Sequence, residues 1–198
     1  MKHLKNFFLF CILLTASSIA ALAQDSGCSS GVKVPQDLAS QLLRQAFKSM
    51  EMPQDEQDKI TRDAEKRKGG VASLFCAEAV DLDRDRKKDL LIHQADVEGA
   101  FCTSQNCPVW AYRRTSDGYK MLLEATGGYI TPIEALKTST NGYRDIRTYE
   151  HSSAIEHEIT IYKFDGKLYR ARVCTSEKFI GKRGGKDRFK YTTHKCGQ

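Results

Sequence analysis

The sequence predicts an α+β fold: one or two N-terminal helices followed by a mainly antiparallel β-meander, stapled by disulfides. Three observations predict it. Leu38, Leu42, Ala46, Phe47 and Met50 recur every three or four residues, the period of a helix with one apolar face. Farther on, Asp117-Gly118 and Asp165-Gly166 each stand between two apolar runs, and an Asp-Gly pair in that setting suits a type I′ hairpin turn. Six of the seven cysteines lie beyond a leader segment, an even number in a chain with the marks of export.

The leader comes first. Lys2 and Lys5 precede an apolar run over 7–14, and Ala21-Leu22-Ala23 is a small-x-small cleavage site. This pattern predicts a signal peptide over 1–23, with Gln24 as the first mature residue. A bilayer span needs about 20 apolar residues, so no transmembrane anchor is expected here or later. Cys28 lacks a preceding Leu-small-small triplet, and no lipid anchor is expected. The expected location is secreted or periplasmic.

Residues 24–34 are polar and read as an N-terminal arm held by Cys28. A single domain is expected over 35–198. Its helical part is 35–68: Pro35 opens the first helix, Pro53 follows its end, and a charged second helix offers only Ile60 and Ala64 to a core. The first helix is expected to cover one face of a sheet. Arg67-Lys68-Gly69-Gly70 breaks the helical pattern, and 71–175 is β-rich, with 71–80 expected as one strand. Thr126-Gly127-Gly128 reads as an interruption of the sheet and Asn141-Gly142 as another turn. Consecutive hairpins without intervening helices imply antiparallel order rather than βαβ units. The basic tail, 176–198, is expected to be a mobile loop tied back by Cys196.

The six cysteines, Cys28, Cys76, Cys102, Cys107, Cys174 and Cys196, allow about 15 pairings as three disulfides. Proximity favours Cys102 with Cys107. The other four are open, with Cys28 and Cys196 as the terminal members. No CxxC spacing points to zinc instead.

One stretch stands out for chemistry, Asp81-Leu-Asp-Arg-Asp-Arg-Lys-Lys-Asp89, with apolar runs on both sides. Its aspartates fall at positions 1, 3, 5 and 9. Ca²⁺ takes about six to eight oxygens, and alternate residues of a tight loop can point at one ion. Asp81, Asp83, Asp85 and Asp89 are therefore candidate calcium ligands, with the carbonyl of Lys87 at position 7. Residues 81–92 resemble the calcium loop of FG-GAP repeats in integrin α chains and related secreted bacterial proteins, D-x-D-x-D-G-x-x-D before an apolar strand. That resemblance implies a loop joining two strands and a bound calcium. Arg86 stands where the family has glycine, and Arg84, Arg86, Lys87 and Lys88 set four positive charges against the four acids. The competing reading is a charged turn that pairs its own groups.

Other candidates follow. His151 and His157, with Glu150, Glu156 and Glu158, could ligate zinc, but within one strand the two histidines share a face only if it runs on through Ser152-Ser153. The bland alternative is a polar segment joining two strands. No G-x-S-x-G elbow occurs, and every mature cysteine has a disulfide role, so nucleophilic catalysis has no motif. His93 is a conceivable base. The tail bears Lys178, Lys182, Arg183, Lys186, Arg188, Lys190 and Lys195 among Phe179, Phe189 and Tyr191, a composition suited to an anionic surface or to plain solvation. Nucleic acid is not an expected partner of an exported chain.

These features predict an exported, non-catalytic binding protein with a structural calcium loop, whose partner is a protein or a cell-envelope polysaccharide. Two alternatives stand beside it. One is a secreted hydrolase using His93, His151 or His157 with a carboxylate. The other is an inhibitor of envelope hydrolases of the lysozyme type.

Overall fold

A computed structural model describes Cys28 and residues 31–95, 101–103, 106–128 and 132–197. The segment expected to be a signal peptide lies outside these residues. In chain order the elements are α1 (Gln36–Ser49), α2 (Gln54–Glu65), a 3₁₀ turn (Gly70–Leu74), β1 (Phe75–Val80), β2 (Asp89–Gln94), β3 (Asn106–Thr115), β4 (Gly118–Gly128), β5 (Ile133–Thr140), β6 (Tyr143–Ser153), β7 (Glu156–Phe164), β8 (Tyr169–Arg183) and β9 (Lys186–His194). The expected α+β class holds, with strand as the dominant element. The strands form two antiparallel sheets, β1–β4 and β5–β9, each in sequential order.

Two cores stack three layers. Leu38, Leu42, Ala46 and Phe47 of α1 pack on Phe75, Ala77, Leu90, Ile92, Trp110 and Tyr112 of the first sheet. The opposite face of that sheet sets Leu91, Val109, Ala111 and Leu123 against Ile133, Ile146, Phe164 and Tyr169 of the second sheet and its turns. Strand β2 is thus covered on both faces. Its run Leu90-Leu91-Ile92 is continuously apolar for that reason, where a half-exposed strand would alternate. The second helix adds Ala64 and part of Ile60 to the first core.

Three expectations need correction. Residues 71–80 are not one strand. Gly69 and Gly70 take left-handed backbone (φ 102° and 59°), which turns the chain into the 3₁₀ segment, and extended structure starts at Phe75. Thr126-Gly127-Gly128 does not interrupt the sheet. These residues end β4 and pair with Pro108, Cys107 and Asn106. Glycine is needed at 127 because a Cβ would stand 2.0 Å from the Pro132 carbonyl oxygen.

The third correction concerns the basic tail, which is no loop. It forms most of the β8–β9 hairpin, paired from Cys174 with His194 to Arg183 with Lys186. Gly184 and Gly185, both left-handed (φ 58° and 76°), make the two-residue turn. Paired glycines suit the twist of a tight hairpin, and Phe179 packs edge-on against Phe189 across it.

The disulfides are Cys28–Cys76, Cys102–Cys107 and Cys174–Cys196. They tie the N-terminal arm to β1, close the short loop before β3, and fasten the end of β9 to β8. No helix among the described residues is long and apolar enough to cross a membrane.

Candidate functional site

The face of the second sheet turned away from the core carries a cavity of about 620 Å³. The β6–β7 hairpin builds it. Its register sets Glu150 opposite Glu158 and His151 opposite His157. Directly opposed residues point to the same face, so the two imidazoles meet across the hairpin rather than along one strand. Their ring centroids are 4.5 Å apart at an interplanar angle of 71°. The row continues, because His157 pairs with Glu177 on β8 and Glu177 with Tyr191 on β9. Tyr149 lies one step along the same face, its ring centroid 4.8 Å from that of His157.

Glu177 is the polar centre of this surface. Tyr191 Oη donates to Glu177 Oε1 at 2.6 Å, and Tyr149 Oη donates to the other carboxylate oxygen. Burial, reinforced by the bond to Glu177, raises the Tyr149 phenol well above its ordinary value, so it stays a proton donor at any physiological pH. The Tyr191 hydroxyl is raised as well, chiefly by its bond to Glu177. His151 is lowered, first by burial and then by the neighbouring His157, which favours the neutral ring. At the margin Arg147 pairs with Glu134.

Two residues of the first sheet press on the site. Gly128 lines the cavity, and a Cβ there would lie 2.9 Å from the Tyr149 carbonyl oxygen and 3.1 Å from His151 Cδ2. The side chain of Asn106 hydrogen-bonds to the backbone of His151. Reasoning along one strand missed the His151–His157 meeting, which belongs to the register of the hairpin. The glycine pair at 127–128 was visible as a signal, but its cause is close approach rather than a break. For Asn106 no sequence signal exists.

The opposite face holds a second polar group. Ser176 Oγ donates to Glu158 Oε2 at 3.1 Å and lies 3.3 Å from His194 Nε2, and that same nitrogen lies 3.1 Å from Glu158 Oε1. His194 Nδ1 contacts the Lys195 carbonyl. A relay needs serine and carboxylate on different imidazole nitrogens. Here both sit on Nε2, so the trio is a hydrogen-bond clasp between strands. Among the other sequence candidates, Glu150 faces Glu158 across the hairpin and Glu156 lies within 4.0 Å of Lys178. His93 lies in the first sheet, between Cys76 and Val109. Burial lowers its pKa. It is not brought to the other histidines.

The aspartate loop joins β1 to β2 and is held together by its own backbone. Asp81 Oδ2 accepts from Arg86 N, Asp83 Oδ1 from Asp85 N, and Asp85 Oδ1 from Lys87 N. Asp89 is fully buried, with one oxygen on Leu82 N and the other on Arg114 N, each bond within 2.9 Å. Burial raises the Asp89 carboxyl despite these two donors. Asp85 is lowered, mainly by the Lys87 N–H. Lys87 also brings its ammonium to within 3.5 Å of Asp85 Oδ2. Arg86, at the sixth position, takes φ 66°, and Arg84 takes φ 62°. The loop keeps the left-handed bend that glycine would supply and bears a strain of roughly 1–2 kcal/mol per residue for it.

Three oxygens remain after the amides are served: Asp81 Oδ1, Asp83 Oδ2 and Asp85 Oδ2. Asp83 Oδ2 faces Arg113 Nε at 2.6 Å, and Asp85 Oδ2 lies 3.8 Å from the same guanidinium. Asp81 Oδ1 is buried without a hydrogen-bond partner. Asp81, Asp83 and Asp89 each offer an oxygen within 4.8 Å of the others. Three of the five sequence-predicted positions thus bring carboxylate oxygens together, and Asp85 is not among them. Lys87 enters through its N–H and ammonium.

The basic residues of the β8–β9 hairpin are largely solvated, and two pair locally, Lys178 with Glu156 and Lys182 with Asp187. Ile180, Phe189 and Tyr191 are exposed beside them. Comparison with family models, curated proteins and solved structures yields no match to this chain.

Proposed function

We propose that the chain is an exported, non-catalytic binding protein that takes its ligand on the outer face of the second sheet. The observation behind this reading is the cavity of about 620 Å³ floored by Tyr149, His151, His157, Glu177 and Tyr191. Phenols offer a flat apolar face beside a polar edge, and a carboxylate and an Arg–Glu pair offer directional hydrogen bonds. Such a surface suits the alternating apolar faces and hydroxyl edges of a sugar chain, which makes a cell-envelope polysaccharide the favoured ligand class. Three disulfides support the assignment to an oxidising compartment, secreted or periplasmic.

The aspartate loop is read as structural in the same proposal. Its left-handed Arg86, its amide-bound carboxylates and the buried, unpartnered Asp81 Oδ1 fit a calcium loop. When bound, calcium would be held by the Asp81, Asp83 and Asp89 cluster and would stiffen the turn between β1 and β2. An acidic envelope protein, including a hydrolase with a carboxylate-lined cleft, is the alternative partner. The solvated basic hairpin is the surface that favours it.

The test is titration of the mature chain with purified envelope polysaccharide, followed by calorimetry. Binding is expected, and Tyr191→Ala, at a residue 59% exposed, is expected to weaken it about tenfold. An envelope protein captured instead, with the same affinity for wild type and Tyr191→Ala, would sink the polysaccharide reading.

A further inference from the structure

We infer that the His151–His157 pair is a binding site for a borderline divalent cation of the Zn²⁺ class. The two imidazoles supply two ligands, and the cavity leaves the remaining positions to water or to a ligand. The inference goes beyond the binding reading above and stands without it, since it concerns the metal alone.

Three observations support it. The imidazoles are opposed on adjacent strands, so the backbone ladder sets their spacing before any ion arrives. At a centroid separation of 4.5 Å, one nitrogen of each ring can reach a common ion at the ordinary Zn–N length of about 2.0–2.1 Å. His157 Nδ1 is buried with no hydrogen-bond partner. A buried ring nitrogen left unsatisfied is costly, and a coordinate bond would relieve it.

Glu177 follows His157 in the row, its carboxylate oriented by two phenols. It is not a third ligand, because the only trio of ligand atoms within 4.8 Å among the described residues is in the aspartate loop. Two imidazoles alone leave the remaining coordination positions to water or to a ligand in the cavity. Nitrogen donors also separate this site in chemistry from the aspartate loop, whose all-oxygen set suits calcium.

The experiment uses the mature chain, purified without an affinity tag and stripped of metal, titrated with Zn²⁺ near neutral pH. Long-range ¹H–¹⁵N spectra read each imidazole separately. The nitrogen resonances of His151 and His157 are expected to shift together while those of His93 and His194 stay. His151→Gln and His157→Gln are each expected to weaken zinc binding at least tenfold, and Asp83→Ala to leave it unchanged. Shifts confined to His194 or His93, wild-type zinc affinity in either glutamine variant, or no shift at millimolar Zn²⁺ would each overturn the inference. Should a glutamine variant fail to fold, the wild-type spectra decide alone.

Discussion

The side chain of Asn106 pairs with the backbone of His151 in both directions, donating Nδ2–H to the carbonyl oxygen at 2.7 Å and accepting the N–H on Oδ1 at 2.7 Å. An amide side chain here takes the place of a neighbouring strand. Asn106 is itself fixed, because its backbone exchanges two hydrogen bonds with Thr103 inside the loop closed by Cys102–Cys107. The smallest disulfide loop of the molecule thus positions one imidazole of the cavity. Asn106→Ala leaves a backbone donor and acceptor without partners. The expected loss is roughly 1–3 kcal/mol in urea unfolding. Faster exchange of the His151 amide is expected with it, and unchanged exchange would show that the pairing contributes nothing.

Arg113 reaches the aspartate loop from β3 and occupies two of its three spare oxygens. A guanidinium in that place competes with any cation the loop binds. Calcium is expected to raise the melting temperature of a chain spanning residues 24–198, and Asp83→Ala to abolish the rise. Arg113→Gln is expected to enlarge it, since the competing charge is gone. A variant whose response to calcium is no larger than wild type would remove Arg113 from this role, and a wild type indifferent to millimolar calcium would remove the ion.

Asp165 caps the β7–β8 turn. Its Oδ1 accepts from Lys167 N at 2.8 Å and Leu168 N at 2.9 Å, and Oδ2 faces Arg170 Nε at 3.2 Å. The Leu168 and Lys167 amides, then Arg170, lower its pKa to about 2 from 3.8. A folded-state pKa below the unfolded one means that the unfolded chain binds the proton more tightly. The cap's contribution is accordingly present above pH 3.8 and lost as pH falls toward about 2. Asp165→Ala is expected to be less stable than wild type near neutrality, with the two unfolding curves converging in that acid window. A stability difference that stays constant down to the same acid limit would assign the effect to something other than the carboxylate.

Local chemistry made much of this fold legible. The period of Leu38, Leu42 and Ala46 marks α1, and the Asp117-Gly118, Asn141-Gly142 and Asp165-Gly166 pairs mark three of the hairpin turns. Cys102–Cys107 follows from proximity. Gly184-Gly185 carries the same kind of signal as the Asp-Gly pairs, and the density of lysine and arginine around it masked the hairpin. Division of the meander into two sheets left no local trace, because it depends on which apolar faces meet. Leu91 and Ile92 are adjacent and serve different cores.

By itself the sequence determined the period-based elements, the tight turns, the cysteine inventory and the acidic loop, all set by interactions within a few residues. Tertiary structure alone decided the site. His151 meets His157 through hairpin register, Glu177 and Tyr191 join them through two further strand pairings, and Asn106 and Gly128 bear on them from the other sheet. Arg113 meets Asp83 in the same way, across strands. Contacts between residues far apart in the chain depend on register and sheet packing, which the whole set of buried faces settles together and no short stretch encodes.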